Sequence, residues 1–242
     1  WTAVQFTVTY NTASGGAAPA NQSYTYGTTG LTIDSGSSLS KVGYTFLGWS
    51  KTATGTTVSS PFIATENTTL YARWSGSTFS VAFISNGGSI SPATASFTTG
   101  GASIALPSPG IQSGYNFAGW SETLNGNIVS DPYTTIANKT LFAKWTAASR
   151  TVTYALDGGT STATTTQLTG KVVGNTITLP ASNTMSKTGY SFAGWSDGTN
   201  TYAGGATWTV PASDSNFTLT ALWNTQTLTY SYDTNGGGTA PD

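Results

Sequence analysis

The sequence predicts a mainly β protein of small tandem repeats, each with four extended segments and at most a short helical stretch. Three observations lead there. The phrase Gly-Tyr-x-Phe-x-Gly-Trp-Ser stands at residues 43–50, 114–121 and 189–196, at spacings of 71 and 75 residues. A second phrase, opening on Thr-Leu and closing on Trp, follows each copy at 69–74, 140–145 and 218–223. Within these phrases large side chains recur every second residue, the period of a half-buried strand. Repetition at a near-constant period decides architecture ahead of any single residue.

The closing Trp residues set the repeat boundaries. Five, seven and nine residues after Trp74 stand Phe79, Val81 and Phe83; after Trp145, Arg150, Val152 and Tyr154; after Trp223, Leu228, Tyr230 and Tyr232. After Trp1 they are Phe6, Val8 and Tyr10. Trp1 is therefore expected to end an earlier repeat. The predicted organisation is a remnant at 1–4, three complete repeats at 5–77, 78–148 and 149–226, and the first strand of a following repeat at 227–242. That last strand is expected to fray or to borrow a neighbouring sheet edge. Connectors of four residues are too short to act as loose tethers.

Each element has its own justification. Phe6, Val8 and Tyr10 alternate with Thr7 and Thr9, so the first segment is a strand. Its counterparts end in Asn86-Gly87-Gly88 and Asp157-Gly158-Gly159, residues that accept positive φ and so favour a tight turn. The first repeat has Ser14-Gly15-Gly16 there, and a different turn is open. A second strand is expected at 31–33, 104–106 and 177–179, with Pro107 and Pro180 ending two of these. The stretches 34–42, 107–113 and 180–188 that follow are the places for a short helix.

The phrase itself is the third strand. Tyr44 and Phe46 share a face by alternation and Trp49 falls on the other, with Gly48 between them; Gly119 and Gly194 repeat the pattern. A bulge at the Gly would bring the Trp back to the face of the Phe. In the fourth strand Leu70, Ala72 and Trp74 recur as Leu141, Ala143 and Trp145, and as Leu219, Ala221 and Trp223, while the intervening positions drift. The constant side is expected to face the core. The predicted core is thus Tyr44, Phe46, Trp49, Leu70 and Trp74; Tyr115, Phe117, Trp120, Leu141 and Trp145; Tyr190, Phe192, Trp195, Leu219 and Trp223.

Composition limits what the chain does. With 8 basic and 9 acidic residues among 242, it lacks the basic footprint that nucleic acid requires. There is no Cys for a disulfide framework or a thiolate metal site. No run of apolar residues is long enough to span a membrane, so no membrane insertion is expected within this segment. There is no His to serve as general base or metal ligand. The acids Asp34, Glu66, Glu122, Asp131, Asp157, Asp197, Asp214 and Asp233 are scattered without the clustering of a calcium loop, and 197–200 reads as a turn. No enzyme, no cofactor and no catalytic residue are expected. Lys171 and Gln167 are candidates for an internal covalent link, but no such set recurs among the repeats. Asn21, Asn67, Asn138 and Asn216 head Asn-x-Ser/Thr triplets, which arise by chance in a Thr-rich chain.

The two phrases, with the Asn/Asp-Gly-Gly turn, resemble the Listeria–Bacteroides repeat, the family of the internalin B-repeat. The resemblance covers residues 5–74, 79–145 and 150–223 and the opening of a fourth copy. It implies a small β-grasp-like fold with a mixed sheet and a short helical segment, strung in tandem on bacterial cell-surface or secreted proteins. Two departures stand out: Arg150 at a usually apolar first-strand position, and an apparent Trp-bearing insertion at 202–208 in the third repeat. Two functions stay open. One is a stalk or spacer that projects an adhesive part, its partners being the neighbouring repeats. The other is an adhesion module that binds glycans or a surface protein through exposed aromatics. Tyr24, Tyr26, Tyr71, Tyr133, Phe142, Tyr202 and Trp208 are the candidates, with Tyr202 and Trp208 as the ligand contacts to test.

Overall fold

The alternation at Phe6, Val8 and Tyr10 is a strand in the computed structural model of the chain, which describes residues 2–163, 165–233 and 235–238. Trp1, read above as the end of an earlier repeat, lies outside the described residues. By internal packing the chain forms two units, Trp1–Gly110 with Gly119–Lys144, and Ile111–Ala118 with Trp145–Asp242.

The first repeat contains β1 (Gln5–Asn11), β2 (Gln22–Thr25), β3 (Tyr44–Ser50) and β4 (Thr68–Gly76), in the sheet order β2-β1-β4-β3. β1 runs antiparallel to β2 and parallel to β4, while β3 is antiparallel to β4, so the sheet is mixed. A parallel pair needs a long crossover, and residues 12–67 supply it. The second repeat copies this with β5 (Thr78–Ile84), β6 (Thr94–Thr98), β7 (Tyr115–Ser121) and β8 (Lys139–Ala147), ordered β6-β5-β8-β7.

The third repeat elaborates the same plan. It contains β9 (Arg150–Ala155), β10 (Thr160–Ser161), β11 (Gln167–Lys171), β12 (Thr176–Thr178), β13 (Met185–Ser186), β14 (Tyr190–Ser196), β15 (Thr201–Tyr202), β16 (Thr207–Thr209) and β17 (Phe217–Thr225). Its main sheet is ordered β11-β9-β17-β14-β15, with β12 paired to β16 and β10 to β13. The protein is mainly β, as expected.

Gly48 and Gly194 do break the register, between Phe46 and Gly48 and between Phe192 and Gly194. The three phrase glycines have φ of 129°, 141° and 142°, which a side chain would resist. The bulge turns the Trp onto the face of the Phe: Phe46 and Trp49 meet edge to face at 5.4 Å, as do Phe192 and Trp195 at 5.5 Å. Trp49 and Trp120 are 2% exposed and Trp195 0%. Burying such a ring takes about 150–250 Å² out of water, roughly 4–6 kcal/mol gross. Each indole N–H is satisfied by a backbone carbonyl, of Asp34 at 2.7 Å, Pro107 at 2.7 Å and Pro180 at 3.0 Å. Leu70, Leu141 and Leu219 are fully buried as well.

The remaining predicted core residues are graded. Tyr44, Phe46, Trp74, Tyr115, Phe117, Trp145, Phe192 and Trp223 are half-buried. Trp74 and Trp223 lie over the first turn of their repeats, each donating its indole N–H to a turn carbonyl, of Thr12 at 3.0 Å and Leu156 at 3.1 Å. A methyl group on Gly15 or Gly159 would fall 2.1 or 2.2 Å from the indole, so a Gly at this place in the turn is a packing requirement. The first repeat makes the same turn as the third. Ala13 and Ser14 take φ of 48° and 69° where Asp157 and Gly158 take 48° and 76°.

Several expectations need correction. Residues 31–33 and 104–106 are not strands: Leu31 and Ile104 each form a single antiparallel bridge, to Phe62 and Tyr133, and only Thr176–Thr178 lengthens into a strand. The sheet's edge strand is instead β2, β6 or β11. A short helical segment appears only in the third repeat, as a 3-10 turn at Ser182–Thr184; 34–42 and 107–113 contain none. Tyr190 is 38% exposed, outside the core in which alternation put it. Residues 226–233, expected to fray or to borrow a sheet edge, form no strand, and Leu228, Tyr230 and Tyr232 are exposed.

Candidate binding groove

A further correction concerns Trp208. It stands thirteen residues after Trp195, the same interval that separates Phe62 from Trp49 and Tyr133 from Trp120. It also bridges Ile177 as Phe62 bridges Leu31 and Tyr133 bridges Ile104. Trp208 is therefore a core position shared by all three repeats, 4% exposed, and not part of an insertion. The extra residues of the third repeat come later: eight residues separate Phe62 from Leu70 and Tyr133 from Leu141, against eleven from Trp208 to Leu219.

Around Trp208 the third repeat forms a groove of about 540 Å³, with Tyr202, Phe217, Asp197, Thr199 and Thr207 among its lining residues. A tight hairpin builds one wall. Asp197 donates its N–H to the Asn200 carbonyl at 3.2 Å, and β15 returns along β14 with Tyr202 opposite Trp195. β16 supplies Trp208, and Phe217 at the start of β17 meets it edge to face at 5.3 Å.

The carboxylate of Asp197 organises the rim. Its Oδ1 accepts the N–H groups of Asn200 at 2.7 Å and Thr199 at 2.9 Å, and its Oδ2 accepts the Tyr202 hydroxyl at 2.7 Å. These bonds, the Asn200 N–H foremost, hold the Asp197 carboxyl at about 2, because each donor favours the charged form. The same contact pushes the Tyr202 phenol up, since ionising it would place two anions together. Both oxygens of the acid are thus engaged in the turn. What the groove offers a ligand is an aromatic wall and threonine hydroxyls, in the size range of small-molecule sites.

The corresponding position is chemically different in the other repeats. Glu122 accepts the Tyr133 hydroxyl at 2.8 Å and pairs with Lys139. Burial and that carboxylate push Tyr133 up to about 12. In the first repeat Lys51 lies over the Phe62 ring at 5.4 Å. The residue after the phrase thus reaches the aromatic of the next hairpin in three ways: cation on ring, hydroxyl on glutamate, and an aspartate-capped turn.

The other aromatic candidates do not make a shared platform. Tyr24 and Tyr133 are buried, contrary to expectation, because they close the cores of their repeats. Tyr71 and Phe142 are half-buried. Tyr26 is exposed and meets Phe6 edge to face at 6.1 Å. Gln167 and Lys171 sit at opposite ends of β11, with a register break between Leu168 and Lys171. The Gln167 amide turns to the Thr153 hydroxyl at 3.4 Å. Among the described residues no three acids gather into a metal-holding group. The Asp197–Tyr202 pair escaped the sequence reading, although Asp-Gly two residues past the phrase Trp marked the tight turn that creates it.

Comparison with known proteins bears on the whole chain. The family model of the Listeria-Bacteroides repeat domain matches residues 6–73, 79–144 and 151–222. Two relatives come from Evansella cellulosilytica. One, provisionally named a membrane protein, is 35% identical over 185 residues, 73% of this chain and 26% of its own length. The other, provisionally named a Gly-rich membrane protein, is 31% identical over 239 residues, 94% of this chain and 26% of its own length. The chain spans about a quarter of each relative. Among the described residues no helix is long and apolar enough to cross a membrane.

Proposed function

The chain belongs to the Listeria–Bacteroides repeat family, and from that premise we propose that it is a non-catalytic spacer of a bacterial cell-surface or secreted protein. It sets the distance between an adhesive part and its anchor. The observation that carries this reading is how little chain joins successive repeats. Between β4 and β5 there is one residue, Ser77. Its N–H donates to the Gly43 carbonyl at 2.9 Å and its own carbonyl accepts the Thr99 N–H at 3.0 Å, so it is held from both sides. Between β8 and β9 there are two residues, Ala148 and Ser149, and Ala148 donates to the Gly114 carbonyl at 2.8 Å. Repeats joined in this way gain stability from their junctions as well as their cores.

The test is replacement. In the full-length protein these three repeats are exchanged for an unrelated folded spacer of equal length, and attachment of the cell to its target is measured. Attachment is expected to survive the exchange and to fall when the repeats are deleted. Loss on exchange would assign the recognition to the repeats themselves.

A second reading rests on the groove at Tyr202. Its aromatic wall and hydroxyl rim fit a neutral polyhydroxylated ring, a glycan unit above all. Tyr202→Ala leaves the buried Trp208 in place, so loss of binding on a glycan array with melting unchanged would favour this reading over the spacer.

A further inference from the structure

One face of the repeat occurs three times in this chain, twice covered and once bare. It consists of the first Gly and Tyr of the phrase and the residue three places after the closing Trp. In the first repeat these are Gly43, Tyr44 and Ser77, all half-buried. A methyl group on Gly43 would lie 2.9 Å from the Thr99 hydroxyl and 3.4 Å from Ile136, both of the second repeat. The Tyr44 hydroxyl in turn lies 2.9 Å from where a methyl on Gly100 would stand.

In the second repeat the face is Gly114, Tyr115 and Ala148, with Gly114 and Ala148 buried. Here the extra residues of the third repeat do the covering. A methyl on Gly114 would lie 3.3 Å from Ala212 and 3.4 Å from Ser213, and the Gly114 N–H donates to the Asp214 carboxylate at 3.2 Å. Arg150 steadies that loop, donating from Nε to the Ser213 carbonyl at 2.9 Å, with Asp214 at 3.8 Å. In both junctions the loop that precedes the last strand of the next repeat contributes to the cover, through Ile136 in the first and Ala212–Asp214 in the second; in the first, Thr99 and Gly100 just after β6 complete it.

The third copy keeps the internal geometry. The Gln226 N–H donates to the Gly189 carbonyl at 2.9 Å, as Ser77 does to Gly43 and Ala148 to Gly114. Gly189, Tyr190 and Gln226 are all exposed, and a methyl on Gly189 would meet nothing within 4 Å. The backbone is prepared and the cover is missing.

We propose that the face formed by Gly189, Tyr190 and Gln226 is the docking surface for a further repeat of this kind. That repeat seats the loop before its last strand on Gly189, and Leu228, Tyr230 and Tyr232 belong to its first strand. This rests on the spacer reading in taking the array to continue past the third repeat. The occupant is set by what both existing junctions share: the methyl and hydroxyl groups of a following repeat packed against a bare glycine backbone, from Thr99 and Ile136 in one and Ala212 and Ser213 in the other.

Because the chain has no Cys, a single introduced thiol reports on the face. Gln226→Cys is compared with Ser77→Cys and Ala148→Cys by thiol-labelling rate. The comparison is made in the three-repeat chain and in one with a second copy of residues 149–225 fused after position 226. Gln226→Cys is expected to label freely in the first and about tenfold more slowly in the second, approaching Ala148→Cys, as a closed junction protects it. A folded fourth copy that leaves Gln226→Cys fully reactive overturns the proposal. So does a fourth copy that stays unfolded, because the same residues fold when preceded by the Gly114 face. Protection of Gln226→Cys in the unextended chain that grows with concentration also overturns it and assigns the face to a second molecule. Attachment that survives spacer exchange while position 226 stays reactive would remove the docking and leave the spacer reading intact.

Discussion

The side-chain carbonyl of Asn138 accepts the backbone N–H of Ser80 at 2.9 Å. Asn67 does the same for Thr7 at 2.8 Å and Asn216 for Thr151 at 2.9 Å. Each Asn sits just before or at the edge of the last strand and ties it to the start of the first, extending the parallel pairing by one bond. The recurrence of Asn-x-Thr in this chain is therefore structural. Asn138→Ala should lower the stability of the second repeat by about 1 kcal/mol, the usual net worth of one hydrogen bond. Thermal melting checks this, and an unchanged midpoint would mean that water replaces the bond without loss.

Removing the central indole should cost far more. Trp120→Ala leaves a large void in the second core and an unpaired Pro107 carbonyl, and is expected to destabilise by about 3–5 kcal/mol. Chemical denaturation of the variant measures it. A loss below about 1 kcal/mol would place the ring outside the core.

Gly159→Ala isolates a packing effect. The position needs no unusual φ, yet the new methyl would fall 2.2 Å from Trp223. An overpacked contact of this kind costs about 1–3 kcal/mol. The tryptophan emission of the variant should shift as the indole is displaced, whereas Gly174→Ala, strained by its φ of 83° but with nothing within 4 Å, should leave the emission alone.

The Asp197 turn predicts a response to acid. Its folded pKa of about 2 lies below the ordinary aspartate value of 3.8, so the stability it contributes is present above about pH 4 and is lost as pH falls toward 2. Asp197→Asn should therefore flatten the acid limb of the melting profile between pH 4 and 2. An identical acid limb in both proteins would count against the hydrogen bonds to the Asp197 carboxylate.

At high pH the sign reverses. Tyr133 is raised from 10.0 to about 12, so its contribution is complete below pH 10 and is lost as pH climbs through 12. In an alkaline absorbance titration Tyr133→Phe should remove the latest-ionising tyrosine. If the last phase remains, another tyrosine is responsible.

Much of the fold was legible because the core writes itself into parity. Trp49 and Phe46 on opposite sides of the alternation required a bulge at Gly48, and the chain makes it. The edge strands were not legible: in Gln22–Thr25 a single side chain, Tyr24, is buried, and one residue cannot establish a period. Trp208 is disguised by the tight hairpin at Tyr202, which is peculiar to the third repeat, whereas its interval from Trp195 matches that of the core aromatics in the other two. Tyr190 could not be read at all. Its own strand is identical in pattern to those of Tyr44 and Tyr115, and exposure at that position depends on what the next repeat brings. The groove was half visible, since Tyr202 and Trp208 were named but the aspartate that fixes the Tyr202 hydroxyl was not.

In every repeat the strand that enters and the strand that leaves lie side by side and parallel, with Tyr10 against Leu70, Phe83 against Leu141 and Tyr154 against Leu219. Tension applied at the two ends pulls these neighbours past one another lengthwise, so their hydrogen bonds resist together instead of opening one by one. Each bead is a clamp closed across its own line of pull, and its strength under tension exceeds what its small core alone would provide.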